Sequence, residues 1–142
     1  MKILLRYLIS ICGLLLAFSW GKPPPITFGF SDPLFEELSH QNVIFNEPQN
    51  YIVNEENFVI IQLEKPTFPS GYMLSVLVDT ITSPDSEPEI QGWYPKTSIK
   101  PLKEGFYELS IRVNLMYKGS CGGILVATIA QTKISFTAKK TQ

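Results

Sequence analysis

Reactive side chains are scarce in this 142-residue chain, which holds one histidine, His40, and two cysteines, Cys12 and Cys121. A metal centre needs several His, Cys or carboxylate ligands converging. Copper-binding β-sandwiches of this size need two histidines beside the cysteine, so that reading is excluded. A carboxylate loop such as Asp85-Ser86-Glu87 reads more simply as solvated than as an ion site. No cofactor is expected. A phosphate-cradling loop is missing too, because Gly119–Gly123 joins two strand patterns and no helix follows it. With 12 Lys+Arg against 13 Asp+Glu, the chain lacks the basic excess that a nucleic-acid surface requires. Long amphipathic helices are also missing, which excludes βαβ folds and parallel sheets.

The first residues read as an address. Lys2 and Arg6 precede an apolar run of 12 residues, Tyr7 to Phe18, followed by small residues suited to cleavage after Ser19 or Gly21. A span needs about 20 apolar residues, so residues 1–21 are expected to be a cleavable signal peptide with no membrane span left after removal. Ile11 before Cys12 is too bulky for a lipid-attachment site. The expected mature domain, residues 22–142, carries 10 basic and 13 acidic side chains and the single cysteine Cys121. One cysteine cannot form an internal staple, so stability must come from the core. Asn-x-Ser/Thr sequons are missing as well. The expected location is secreted or periplasmic.

Charge is uneven: residues 22–89 hold 2 basic and 11 acidic side chains, and residues 90–142 hold 8 basic and 2 acidic. Interleaving of strands from the two halves, with the charges mixing in space, is the simplest expectation.

Hydrophobic residues, 44% of the chain, alternate with period two almost everywhere. Phe106–Tyr117 places Tyr107, Leu109, Ile111, Val113, Leu115 and Tyr117 on one face, and Ile124–Phe136 runs back after the glycine-rich turn as a hairpin partner. Phe58–Leu63 and Tyr72–Ile81 are further strands. Ile26–Phe30, Asn42–Phe45, Tyr51–Val53 and Ile90–Tyr94 are weaker candidates. Asp32 followed by Pro33 is a helix start signal, with one or two turns before Asn42. The pattern predicts an all-β antiparallel sandwich of seven to eight strands.

Within it, Leu102-Lys103-Glu104-Gly105-Phe106-Tyr107-Glu108-Leu109 resembles the tyrosine corner of immunoglobulin-like and fibronectin type III domains. The resemblance implies an immunoglobulin-like β-sandwich without its disulfide, in which the Tyr107 hydroxyl bonds back across a corner. Tyr117–Gly123 with Gly71-Tyr72 is also similar to the immunoglobulin-like thiol domain of periplasmic disulfide reductases. That family uses two nearby cysteines, and this chain supplies only Cys121.

No pairing of nucleophile, base and orienting group is encoded, and no catalytic residue is assigned. Cys121 is either a reactive thiol at an exposed hairpin tip or a small apolar filler under the turn, with filler the favoured reading. Trp93 and Tyr94, followed by Lys96, Lys100 and Lys103, have the composition of a binding hot spot. The expected function is an exported, non-catalytic interaction domain that binds another protein of the envelope or exterior. Two alternatives are a carrier of an apolar small molecule between the sheets and a thiol-reactive protein acting through Cys121.

Overall fold

The computed structural model describes residues 32–142. The expected signal peptide, Cys12 and the candidate strand Ile26–Phe30 lie outside the described residues. The remainder is all-β with one short helix. In chain order the elements are α1 (Pro33–Ser39), β1 (Val43–Asn46), β2 (Tyr51–Ile52), β3 (Asn57–Leu63), β4 (Tyr72–Thr82), β5 (Glu89–Gln91), β6 (Lys96–Lys100), β7 (Gly105–Lys118) and β8 (Ile124–Lys139). Two four-stranded sheets result, ordered β1-β3-β6-β5 and β2-β8-β7-β4. Every neighbouring pair is antiparallel except β2 and β8, which run parallel through Tyr51↔Ala138 and Ile52↔Lys139.

The alternation of β7 sets the core. Tyr107, Leu109, Ile111, Val113 and Leu115 are all fully buried, as the period-two pattern predicts. All but Leu115 pack against Val59, Ile61 and Ile99 of the opposite sheet, joined by Ile134, Phe136 and Ala138 of β8. Tyr51 stacks on Phe136 with ring centroids 3.6 Å apart, and Phe136 stacks in turn on Tyr107 at 5.2 Å. Burial of the Tyr51 ring, and then the Glu47 carboxylate at its hydroxyl, hold this phenol well above its ordinary pKa.

Buried side-chain nitrogen and oxygen atoms are all hydrogen-bonded among the described residues. Asn57 fixes the β2–β3 crossing: its amide nitrogen donates to the carbonyls of Ile52, Glu55 and Ile99, and its oxygen accepts from the Ile52 N–H. At the start of β7 the Tyr107 hydroxyl donates to the Lys103 carbonyl at 2.9 Å and accepts from the Lys103 N–H at 3.3 Å. This closes a corner over four residues.

The layers differ in length. The strands of the second sheet reach 11, 14 and 16 residues in β4, β7 and β8, against a longest strand of 7 in the first. Half of the longer sheet therefore projects past its partner. Its inner face there, with Tyr72, Leu74, Leu115, Tyr117, Leu125 and Ala127, is covered by α1 through Phe35 and Leu38. Asp32 caps that helix by accepting from the Phe35 N–H at 2.9 Å, and its carboxylate also takes a 2.7 Å hydrogen bond from the Tyr72 hydroxyl. Both contacts hold Asp32 below its ordinary pKa, the Tyr72 bond most strongly. Tyr72 in turn is pushed up to about 12, by burial first and then by Asp32. Gln41 ties the helix end to the sheet, donating to the Leu38 carbonyl and accepting from the Lys65 N–H.

The two charge halves do mix. Lys100–Glu89 (3.1 Å), Lys103–Asp85 (3.7 Å) and Arg112–Asp79 (3.0 Å) each join a residue before position 90 to one after it.

Three sequence expectations need correction. Residues 96–100 carry no strand in the sequence pattern, yet they form β6, between β3 and β5, with Thr97, Ser98 and Ile99 buried. Their polarity hides a strand whose neighbours supply the cover. The candidate strand Ile90–Tyr94 runs instead from Glu89 to Gln91. It stops where Gly92 crosses β4 so closely that an added Cβ would lie 2.5 Å from the Val76 carbonyl oxygen. Cys121 is exposed rather than tucked under its turn. The turn closes on itself through backbone bonds, Gly119 N–H to the Gly123 carbonyl at 2.8 Å and Gly122 N–H to the Gly119 carbonyl at 3.1 Å.

Candidate functional site

The residues singled out by composition are placed apart and mostly engaged. Trp93 is 70% exposed on the β5–β6 connection, and its carbonyl accepts from the Thr97 hydroxyl. Tyr94, next to it, packs against the core instead. The Lys96 ammonium sits 3.7 Å from the centroid of the Phe58 ring, a cation–π contact on the outer face of the first sheet. Lys100 and Lys103 are drawn to Glu89 and Asp85. Trp93 is thus presented to solvent, while the three lysines are partly occupied by their own chain. Tyr107 is structural, fixing its corner.

No reactive cluster forms. His40 caps the end of α1, with Nδ1 2.7 Å from the Glu36 carbonyl and 3.2 Å from the Ser39 hydroxyl. The Cys121 sulfur has the Ser120 hydroxyl at 4.0 Å, and no hydrogen bond joins it to His40 among the described residues. No group of three or more His, Cys, Asp or Glu converges among them either. The space between the sheets, where an apolar cargo would sit, is filled by side chains at most 1% exposed, including Val59, Ile61, Ile99 and Leu109.

A surface that composition did not single out stands on the projecting half of the longer sheet. Register places Met73 opposite Met116, and Met116 opposite Val126, in one row across β4, β7 and β8. Ile124 flanks the row beside Lys118, and Leu77 lies two rows along β4, opposite Arg112. Met73, Leu77, Ile124 and Val126 are 55%, 45%, 60% and 58% exposed. Alternation demands one apolar face per strand, and that face is already spent on the core and α1. The second apolar face is left exposed among the described residues. Its signal was present in the sequence: Met73, Leu77, Met116 and Val126 break the apolar-in, polar-out rule in three neighbouring strands.

Among the described residues, β4 pairs only with β7, and β8 meets β2 only at its last residues. No helix among the described residues is long and apolar enough to cross a membrane. No protein-family model matches the chain, and no curated protein is significantly similar to it.

Proposed function

We propose that the chain is an exported, non-catalytic binding module with an immunoglobulin-like fold, an accessory protein of the cell envelope or a secreted protein that engages another protein. The strand orders support the fold. β1-β3-β6-β5 opposite β8-β7-β4 corresponds to the ABED and GFC sheets of an immunoglobulin sandwich, with β2 as an extra strand beside the last. The Tyr107 corner falls where strand F of such a domain begins. Export rests on the pattern of residues 1–21.

The observation that carries the binding role is the exposed apolar row Met73–Met116–Val126 with Ile124 beside it, Leu77 standing on the same face beyond the polar row Ser75–Asn114–Thr128. A contiguous exposed apolar patch marks an interaction site on a soluble domain. The scatter of His40, Cys121 and the carboxylates supports a role without catalysis.

The double variant Met73→Lys with Leu77→Lys tests this. Both side chains are exposed, so stability should move by no more than about 0.5 kcal/mol per site. Co-purification of envelope partners with the tagged protein should fall at least about tenfold. Undiminished capture would remove the outer face from the interface. If Trp93→Ala abolished capture in that case, the contact would lie at the β5–β6 connection instead.

A further inference from the structure

We propose that the groove between α1 and the unpaired edge of β8 receives an extended segment of a partner protein as an added β-strand. This surface adjoins the outer apolar face at Ile124 and Val126, but it is read through the backbone edge of β8 rather than through those side chains. β8 is 16 residues long, and among the described residues its second edge is paired only at Ala138 and Lys139. Consecutive residues 125–129 form one wall of the groove, and Phe35, Glu36, His40 and Gln41 form the other. Side chains of a strand alternate between faces. Five successive residues lining one groove therefore present the strand's backbone edge, where unpaired N–H and C=O groups template another strand.

Edges left for solvent are guarded by charge or proline. Residues 124–132 contain neither, and Lys133 is the first charge along the strand. A bulge bounds the site: Val113 pairs with Ala130 and Asn114 with Thr128, so Ile129 is the extra residue. The straight stretch is thus Ile124–Thr128, long enough for a segment of about five or six residues.

The walls define the occupant's chemistry. Side chains directed inward meet Phe35, Leu125, Ala127 and Ile129, which favours β-branched or other apolar residues at alternate positions. Glu36 is the one charged residue lining the groove, set against an uncharged strand. A lysine or arginine in the incoming segment complements it. The geometry resembles a helix-and-edge peptide cleft, in which backbone bonds supply affinity and alternate side chains supply selectivity.

The test pans a phage-displayed library of random seven-residue peptides against the purified protein, then measures enriched synthetic peptides by fluorescence anisotropy. Enriched sequences should alternate apolar β-branched residues and carry one basic residue. Bound peptide should shift amide resonances of residues 124–129 and 35–41. Glu36→Lys should weaken binding about tenfold or more, and exchanging the peptide's basic residue for glutamate should restore it. The fold should tolerate the change, because Ser39 and His40 bond the Glu36 main-chain carbonyl and not its side chain. No enrichment, or amide shifts confined elsewhere, overturns the proposal. So does binding that emerges only after residues 22–31 are removed, which would make the chain its own occupant. Dimerisation through Ile124–Thr128 overturns it as well. Met73→Lys with Leu77→Lys should leave peptide affinity unchanged, so failure of the groove and failure of the outer face are read separately.

Discussion

Tyr107→Phe isolates the corner that fixes the entry to β7. The ring is fully buried and stacks on Phe136, and phenylalanine preserves both features while deleting only the hydroxyl. Two hydrogen bonds are lost, a well-placed one to the Lys103 carbonyl at 2.9 Å and a longer one from the Lys103 N–H at 3.3 Å. A typical intramolecular hydrogen bond is worth about 0.5–1.5 kcal/mol net. Lys103 is exposed, so water can reclaim part of its backbone polarity. The expected loss is therefore about 1.5 kcal/mol rather than the roughly 3–5 kcal/mol of emptying the site with alanine. With a urea slope of about 1.5 kcal/mol/M, the midpoint should fall by about 1 M with the slope unchanged. Equilibrium urea unfolding followed by far-UV circular dichroism measures this. A fall below about 0.3 M would mean that the hydroxyl does not hold the corner, and that the ring alone positions β7.

Further expectations concern single sites. Gly92→Ala should destabilise by about 1–3 kcal/mol in the same assay, since its Cβ would press on the Val76 carbonyl, whereas Gly123→Ala, with nothing within 4 Å, should be near neutral. Asp32 titrates below its ordinary 3.8, so its contribution to stability is complete above that value and is lost as pH falls through the lower folded value. Exchange of the Phe35 amide should accordingly accelerate only in acid below about pH 4, and Asp32→Asn should remove that dependence. The same variant should bring Tyr72 part of the way from about 12 back toward 10 in an NMR titration of labelled tyrosine, with burial accounting for the rest. Native protein should show one rapidly reacting thiol in residues 32–142, abolished by Cys121→Ser; slow reaction would mean that the hairpin tip folds over the sulfur.

Legibility from sequence followed the number of buried faces and the length of each strand. β4, β7 and β8 were legible because each buries one face along a long run, so Tyr107, Leu109, Ile111 and Val113 declare themselves by spacing alone. The helix was legible because Asp32-Pro33 is a local start signal and the cap geometry is local too. β6 was not, because Lys-Thr-Ser-Ile-Lys between two prolines carries a single large apolar residue. Its burial comes from Phe58 and Val59 on one side and Ile90 on the other, which are distant in sequence. The candidate surface was legible strand by strand, as breaks in the alternation, but not as one surface. Met73, Leu77 and Val126 look like ordinary strand hydrophobes until pairing shows that they share the solvent side. Trp93 drew notice by type, and its exposure follows from Gly92 turning the chain tightly over Val76.

The unequal depth of the two layers implies a gradient of persistence along the hairpin. Near Tyr107 each rung of β7–β8 is sealed by a second sheet, while near Tyr117 it is sealed by a helix of 7 residues, too short to be stable by itself. Lifting that clasp would bare Leu115 and the Tyr72–Tyr117 stack without disturbing the sandwich. The distal half should therefore open at a lower free-energy cost than the sandwich, and the groove and the apolar row both stand on that half.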